Sequence, residues 1–391
     1  MILLAASGAG LAPFFIEFGC LIVGIALLTR LAARWRFSAI PLYLLGGLCF
    51  GNGGFVPIHF SGELVSAGAE VGVLLLFLLG LEYTSEQLAD NLKNGLPAGA
   101  FDWALNFWPG FLWGLVMFGG FLPALLLGGV TWISSSGVVA KILGELDRLR
   151  NPETPAILSV LVLEDLAMAV YLPIVAVLLL GQGFGTALVA VSLALLTVGA
   201  VLLAALRFSD KISALVAHES DEVVLFSTFG LMLLVAGIAQ KLQVSAAVGA
   251  FLVGVALSGS LARRTHHLLT PLRDLFAAIF FLFFGLQIDP KTLPPVLLSA
   301  VALGVVTALT KIWTGRTAAR RAGVDEAAGV RAGAALVARG EFSLVIAGLG
   351  ASAFPKLQPF AAAYVLFLAI LGPLLTRFSS KLARVLLRGS S

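Results

Sequence analysis

The chain has 391 residues, of which 59% are hydrophobic and only 12% charged, and its net charge is +4. Soluble domains carry about 25% charged residues, so this composition excludes a water-soluble globular protein and favours one surrounded by lipid. The basic residues lie in short segments between apolar stretches, which indicates orientation in a membrane rather than nucleic-acid binding. The two cysteines, Cys20 and Cys49, stand apart in apolar stretches and predict no disulfide framework.

A helix needs about 20 apolar residues to cross the hydrocarbon of a bilayer, and the sequence contains about thirteen such stretches. It therefore predicts an all-α integral membrane protein. With the N-terminus outside and the C-terminus inside, nearly all lysines and arginines fall in the inner loops, as the positive-inside rule requires. The predicted spans are residues 11–30, 39–56, 64–82, 96–118, 121–143, 154–180, 184–206, 221–240, 244–260, 272–288, 293–314, 329–350 and 358–376.

The order of these spans predicts two six-helix units of opposite orientation. Spans one to six begin outside and spans eight to thirteen begin inside, with span seven as the link. Inverted repeats of this kind are typical of transporters. The fifth span of each unit is interrupted by polar and glycine residues, at Ser134–Gly137 and at Arg339–Glu341.

Ionisable residues inside the spans are the candidates for function, because each costs a few kcal/mol at the bilayer centre unless it pairs or meets water. Glu164 and Asp165 are adjacent near the middle of the sixth span. Neighbouring helix positions differ by about 100°, so one acid can face a partner helix while the other faces a cavity. Lys311, in the eleventh span, either pairs with Glu164 or extends along the helix toward the inner surface.

The two interruptions add further candidates. Hydroxyls and freed carbonyls at Ser134 and Ser135 can bind hard cations, although serines also serve simply to pack helices together. Arg339 and Glu341 flank a glycine and either neutralise the partial charges of a broken helix or contact an ion. Three more acids within the spans have no obvious partner and could line a pathway or pair with a base: Glu17, Glu70 and Asp102.

Four stretches together resemble the membrane domain of the cation:proton antiporter-2 family, especially its Kef-type branch: Ser134–Lys141, Leu163–Met168, Phe283–Asp289 and Arg339–Phe342. The resemblance covers essentially the whole chain. It implies a secondary antiporter that exchanges a monovalent cation, K⁺ or Na⁺, for protons by alternating access, as a homodimer in the lipid of the bacterial cytoplasmic membrane. A cation-coupled solute symporter of similar fold is the alternative.

The resemblance also implies a fold in two parts, with two discontinuous helices that cross at the site. A dimer domain would comprise residues 1–95 and 211–291, a mobile core residues 96–182 and 292–391, and a linker helix residues 183–210. The family's essential aspartate corresponds to Asp165, its basic residue on the eleventh span to Lys311, and its acid on the second broken helix to Glu341.

One position departs from the Kef-type pattern. Glu164 stands where those members typically carry glutamine, and an acid there together with Lys311 looks more like sodium-type, charge-moving members. The sequence therefore leaves the cation and the proton stoichiometry open. The resulting hypothesis is that Asp165 binds a dehydrated cation, helped by oxygens of Ser134 or Ser135 and by Glu164, while protons compete for the same carboxylates.

The sequence predicts no enzyme, no cofactor and no resident metal. Hydrolytic serine chemistry would need a histidine within a span, and the four histidines all lie in predicted loops. The glycine-rich loop that binds nucleotide phosphates is also missing, which disfavours nucleotide-driven pumping.

Overall fold

The computed structural model describes residues 11–34, 39–51, 53–54, 74, 77–78, 80–81, 85–179, 184–241, 246–257, 259–286 and 288–388. These residues form α-helices, one short 3₁₀ helix (Pro290–Thr292) and connecting loops, and no β-strand occurs among them. The prediction of an all-α protein is confirmed over this part of the chain.

Fourteen α-helices are defined among the described residues, each on one of the predicted spans or on half of one. The third predicted span, residues 64–82, lies almost entirely outside the described residues. In chain order the helices are α1 (Leu11–Arg34), α2 (Ile40–Phe50), α3 (Ser85–Phe118), α4 (Phe121–Trp132), α5 (Ser136–Glu145), α6 (Thr154–Leu179), α7 (Phe184–Val216), α8 (Asp221–Lys241), α9 (Ala246–Ala256), α10 (Gly259–Leu286), α11 (Pro294–Arg321), α12 (Glu326–Ala335), α13 (Glu341–Leu349) and α14 (Leu357–Arg388).

Several of these helices have the length and apolar composition needed to cross a bilayer. Within the described residues five segments qualify: Phe121–Glu145, Thr154–Ala176, Asp221–Lys241, Pro294–Arg321 and Leu357–Leu387. The bent pair Leu261–Leu272 and Asp274–Phe283 makes a sixth if it is taken as one span. The protein is therefore a multi-pass membrane protein, and the count of about thirteen spans stays a prediction.

The chain divides into two compact units. The first comprises Met1–Glu70 and Ala278–Lys291. Here the backbone of α2 directly contacts the backbone near the end of α10. The contact is so close that a Cβ added at Gly47 would lie only 2.1 Å from the carbonyl oxygen of Leu282. Small residues permit such close helix contact inside a membrane protein.

The second unit comprises Val71–Ala277 and Thr292–Ser391. It contains α3 to α6 and α11 to α14, and therefore the sixth and eleventh spans and both interrupted helices. Its helices also approach closely, since a Cβ on Gly315 of α11 would lie 2.0 Å from the backbone nitrogen of Gly333 on α12. The dimer domain and the mobile core were defined by their roles in dimer formation and in movement. Their boundaries therefore stay predictions.

Candidate ion-binding site

Two helices of the second unit are broken, and the two breaks are in contact. The first break separates α4 from α5, and the second separates α12 from α13. The backbone N–H of Ser135 donates a hydrogen bond to the carbonyl oxygen of Ala338 at 2.9 Å. Gly340 lies so close to Ser135 that a Cβ on it would stand 2.4 Å from the serine hydroxyl. The prediction of two discontinuous helices that meet is confirmed.

The fully buried side chain of Arg339 stabilises both breaks. One guanidinium nitrogen, Nη1, donates to the carbonyl oxygens of Leu336 at 2.9 Å and Val337 at 3.1 Å. The other, Nη2, donates to the carbonyl oxygen of Thr131, in the last turn of α4, at 2.8 Å. Carbonyls at the end of a helix lack intrahelical partners and carry partial negative charge, so a buried cation is favourable there. This geometry supports the stabilising interpretation of Arg339.

The structure brings Lys311 and Glu164 together. The ammonium nitrogen of Lys311 lies 2.5 Å from Oε1 of Glu164, and its side chain is 0% exposed. The ammonium therefore does not reach the membrane surface. Ser134 also contacts this glutamate: its backbone N–H donates to Oε2 at 2.5 Å, and its hydroxyl lies 3.1 Å from Oε1.

Asp102 of α3 completes the charged cluster. Its Oδ1 lies 2.7 Å from the ammonium of Lys311 and accepts a hydrogen bond from Asn106 at 2.9 Å. Its Oδ2 accepts from the indole N–H of Trp132 at 3.0 Å. Asp102 has no obvious partner in the sequence, and Asn106 was not among the predicted residues. The usable signal was their spacing of four residues, which places two polar side chains on one face of an apolar helix.

Asp165 is also buried, with 4% of its surface exposed, and it faces a different serine. The hydroxyl of Ser136 donates to its Oδ2 at 2.8 Å. The oxygen of Ser135 serves as the N-cap of α5, because it accepts a hydrogen bond from the backbone N–H of Val138. The structure places Ser134 against Glu164 and Ser136 against Asp165. The hypothesis that oxygens of Ser134 or Ser135 help Asp165 to bind a cation stays a prediction.

A cavity of about 370 Å³ opens beside the cluster, and both Asp102 and Glu164 line it. Its other walls are mostly apolar. They are formed by Leu96, Gly99, Ala100, Trp103, Trp132, Leu163 and Ala167. Intramembrane carboxylates that line a cavity mark an ion or proton pathway by default. The cavity that reaches these two acids is therefore a candidate pathway for an ion or a proton.

Three of the predicted acids fall outside this description. Glu341 is the first residue of α13, but its side chain and that of Glu17 are not among the described ones, and Glu70 lies outside the described residues altogether. Their suggested roles stay predictions.

Comparison with known proteins identifies the family to which the chain belongs. Residues 21–378 match the family model described as sodium/hydrogen exchanger, transmembrane. The chain is 37% identical over 382 residues to the K(+)/H(+) antiporter subunit KhtU of Bacillus subtilis, covering 95% of this chain and 94% of the relative. It is 33% identical over 365 residues to the ammonium/H(+) antiporter subunit AmhT of Alkalihalophilus pseudofirmus, covering 90% and 89%.

A solved structure supports the same fold. The sodium proton antiporter MjNhaP1 from Methanocaldococcus jannaschii superposes with a TM-score of 0.71 at 15% sequence identity, over 95% of this chain and 98% of that chain. At this identity the likeness concerns the fold alone. Since the family model matches most of the sequence and one relative is 37% identical over nearly its whole length, the chain belongs to the sodium/hydrogen exchanger family of transmembrane proteins.

Proposed function

We propose that this protein exchanges a monovalent cation for protons by alternating access, and that the exchange takes place at the carboxylates of α6. The observation that carries the proposal is the buried ion pair of Lys311 and Glu164, next to Asp165, where the two broken helices meet. A buried carboxylate can be neutralised by a proton or by a metal cation, and the two compete for it. Competition at one site couples the two gradients.

The residue roles follow from the geometry together with the resemblance. Asp165 and Glu164 bind the cation or the proton, with Ser134 and Ser135 at the break of the first helix contributing oxygens. Lys311 is the counter-ion that holds the site together when no cation is bound. Arg339 keeps the breaks in place, and Glu341 acts as the acid of the second broken helix.

The relatives support K⁺ or Na⁺ as the cation and add a third candidate. KhtU is named a K(+)/H(+) antiporter subunit, AmhT an ammonium/H(+) antiporter subunit, and GerT of Bacillus cereus, 26% identical, a probable Na(+)/H(+) antiporter. A solute symporter of similar fold is disfavoured because these relatives are named antiporters. The proposed activity moves ions without chemical conversion, so the protein is not an enzyme and uses no cofactor.

The proposal extends to the protein's setting. The chain lies in the bacterial cytoplasmic membrane with its N-terminus outside and its C-terminus inside, as the distribution of basic residues favours. It forms a homodimer through residues 1–95 and 211–291, while residues 96–182 and 292–391 move as the core and residues 183–210 link the two parts.

Reconstituted liposomes test the function directly. Purified protein is placed in liposomes that hold a pH-sensitive dye, and a proton flux is followed after addition of K⁺, Na⁺ or NH₄⁺, with and without an imposed membrane potential. We expect a cation-dependent flux, and we expect Asp165→Asn to reduce it at least about tenfold, since the variant removes the competing charge. Persistent exchange in this variant would refute the assignment.

A matched control removes the same charge elsewhere. Asp147 is exposed in the loop after α5 and has a backbone φ of 54°. Asparagine adopts this left-handed conformation readily, so Asp147→Asn preserves the backbone. This control variant should exchange like the wild type.

A further inference from the structure

Lys311 has two carboxylate partners on two different helices. Its ammonium lies 2.7 Å from Asp102 on α3 and 2.5 Å from Glu164 on α6, and all three side chains are at most 2% exposed. An ammonium group has three N–H donors, so it binds both acids at once. One of these two contacts can therefore be released while the other persists.

The surroundings of Asp102 suit a carboxylate that stays ionised. Its two oxygens accept N–H hydrogen bonds from Lys311, Asn106 and Trp132. The indole nitrogen can only donate. The amide of Asn106 is held by α11, since the hydroxyl of Thr310 donates to its oxygen at 2.8 Å. Donors from three helices thus surround the two carboxylate oxygens of Asp102.

The surroundings of Glu164 suit both protonation states. Its Oε1 lies 3.1 Å from the hydroxyl of Ser134, and that hydroxyl is also 2.9 Å from the carbonyl oxygen of Leu336. A hydroxyl can donate or accept, whereas a carbonyl can only accept. When the Ser134 hydroxyl donates to the carbonyl oxygen of Leu336, the serine oxygen can accept a hydrogen bond from a protonated Glu164. When Glu164 is ionised, the hydroxyl can donate to it instead.

We propose that Asp102 is the permanent counter-ion of Lys311, a positioning residue that holds the lysine charged and in place while Glu164 exchanges a proton for a cation. The inference rests on the proposed function only for its effect on exchange. Without Asp102, protonation of Glu164 would leave the ammonium of Lys311 buried and unpaired, which is strongly unfavourable. With Asp102 present, the lysine keeps a partner throughout the cycle.

Other buried ionisable groups lie on the helices around the cluster. Asp165 follows Glu164 on α6, and Arg339 lies between α12 and α13, where its guanidinium is engaged by backbone carbonyls. Tyr364 of α14 hydrogen-bonds Thr307 on α11 at 2.8 Å. Each of these groups is retained in the variants below, so a change in pH dependence reports on Asp102 itself.

The pH profile of exchange tests the proposal. In Asp102→Asn, Lys311 pairs with Glu164 alone and the repulsion from the second carboxylate is gone, so Glu164 should hold a proton less readily. We expect the midpoint of the profile to move to lower pH by about one unit. Asp102→Glu keeps the charge and should keep the wild-type midpoint. An Asp102→Asn protein with the wild-type midpoint would overturn the proposal.

Thermal unfolding in detergent tests the same idea without transport. We expect Asp102→Asn and Glu164→Gln each to lower the melting temperature modestly, because Lys311 retains one partner in each variant. The double variant should lower the melting temperature by more than the sum of the two single changes. Adding Lys311→Met to the double variant should restore much of that decrease. Additive losses would contradict the shared counter-ion.

The two measurements separate the possible failures. A wild type that shows no exchange refutes the proposed function, while the melting temperatures still decide the role of Asp102. If Asp102→Asn does not fold, the double variant will not fold either, and the triple variant decides: recovery of a folded protein on adding Lys311→Met supports the shared counter-ion, and a triple variant that stays unfolded contradicts it.

Discussion

The guanidinium of Arg339 donates a hydrogen bond to the main-chain oxygen of Thr131 at 2.8 Å, although 208 residues separate them in sequence. Its other nitrogen binds the carbonyl oxygen of Leu336, just beyond the end of α12. One buried side chain therefore holds the ends of two helices that contribute to the same site. The planar fork of arginine can do this because its donors point in fixed and different directions.

Arg339→Lys should weaken this link. Lysine keeps the charge but lacks the fork, so it cannot serve both helix ends as arginine does. We expect a loss of about 2 kcal/mol in the free energy of unfolding, as for a charged hydrogen bond, together with reduced exchange. Melting in detergent measures the first and proteoliposome flux the second. Arg384→Lys, at an exposed position on α14, is the control and should change neither; an Arg339→Lys protein that melts like the wild type would contradict the role.

Lys311→Met should destabilise the protein in a pH-dependent way. It leaves the carboxylates of Asp102 and Glu164 buried without their shared cation. Breaking a buried ion pair by removing one partner costs about 3–5 kcal/mol. The loss should be largest at neutral pH and smaller in acid, where a carboxylate can take up a proton.

The cost in stability follows from the complete burial of the Lys311 side chain. Melting curves between pH 5 and pH 8 check this, since a loss that is equal at every pH would contradict the ion-pair explanation. Lys356→Met, exposed before α14, is the control.

The local features of the site could be predicted from the sequence because they are encoded in neighbouring residues. A run of hydroxyls with a glycine indicates a break in an apolar helix, and so does Gly340 between two charges. The pairing of Lys311 with Glu164 was also foreseeable, since a buried ammonium requires an anion.

The rest depends on how distant helices pack. The partners of Asp102 could not be identified from the sequence because Lys311 and Trp132 lie on other helices, and a single acid in an apolar stretch does not indicate which base it meets. Which serine contacts which of the two acids on α6 could not be predicted either. It depends on the rotation of α6 against the first break, and adjacent residues differ by about 100° around a helix.

Gly315→Ala should disturb the contact between α11 and α12. The added methyl group would lie 2.0 Å from the backbone nitrogen of Gly333, which cannot move without shifting α12. Overpacking of this kind costs about 1–3 kcal/mol, so the melting temperature should fall. Gly237→Ala is the matched control, because a Cβ there meets no atom within 4 Å. Equal melting temperatures for the two variants would contradict the close approach of these helices.

Glu153 should contribute stability that depends on pH. Its carboxylate binds Arg331 of α12 at 2.7 and 3.0 Å from the loop before α6. Burial disfavours the charged form, but hydrogen bonds from Arg331 and Asn151 outweigh it, so the pKa of Glu153 lies below its ordinary value of 4.5. A lowered pKa in the folded protein means that this stability is present in full above the ordinary value and is lost as the pH falls through the lowered one.

Melting of Glu153→Gln against the wild type across this range measures the effect. The difference in melting temperature between the two proteins should be largest near pH 7 and should shrink below about pH 4.5. Glu219→Gln, exposed in the loop before α8, should show little difference at any pH. A difference in melting temperature between Glu153→Gln and the wild type that grows in acid would contradict the lowered pKa of Glu153.

The contacts between the two breaks also limit how the protein can move. Besides the bond from Ser135 to Ala338, the hydroxyl of Ser343 on α13 donates to the carbonyl oxygen of Val130 on α4 at 2.9 Å. Pulling the half-helices apart would leave buried polar groups without partners, which is costly away from water. The four half-helices are therefore interlocked, and we expect any motion that delivers an ion to the opposite side to shift them as one piece rather than to open a gate between them.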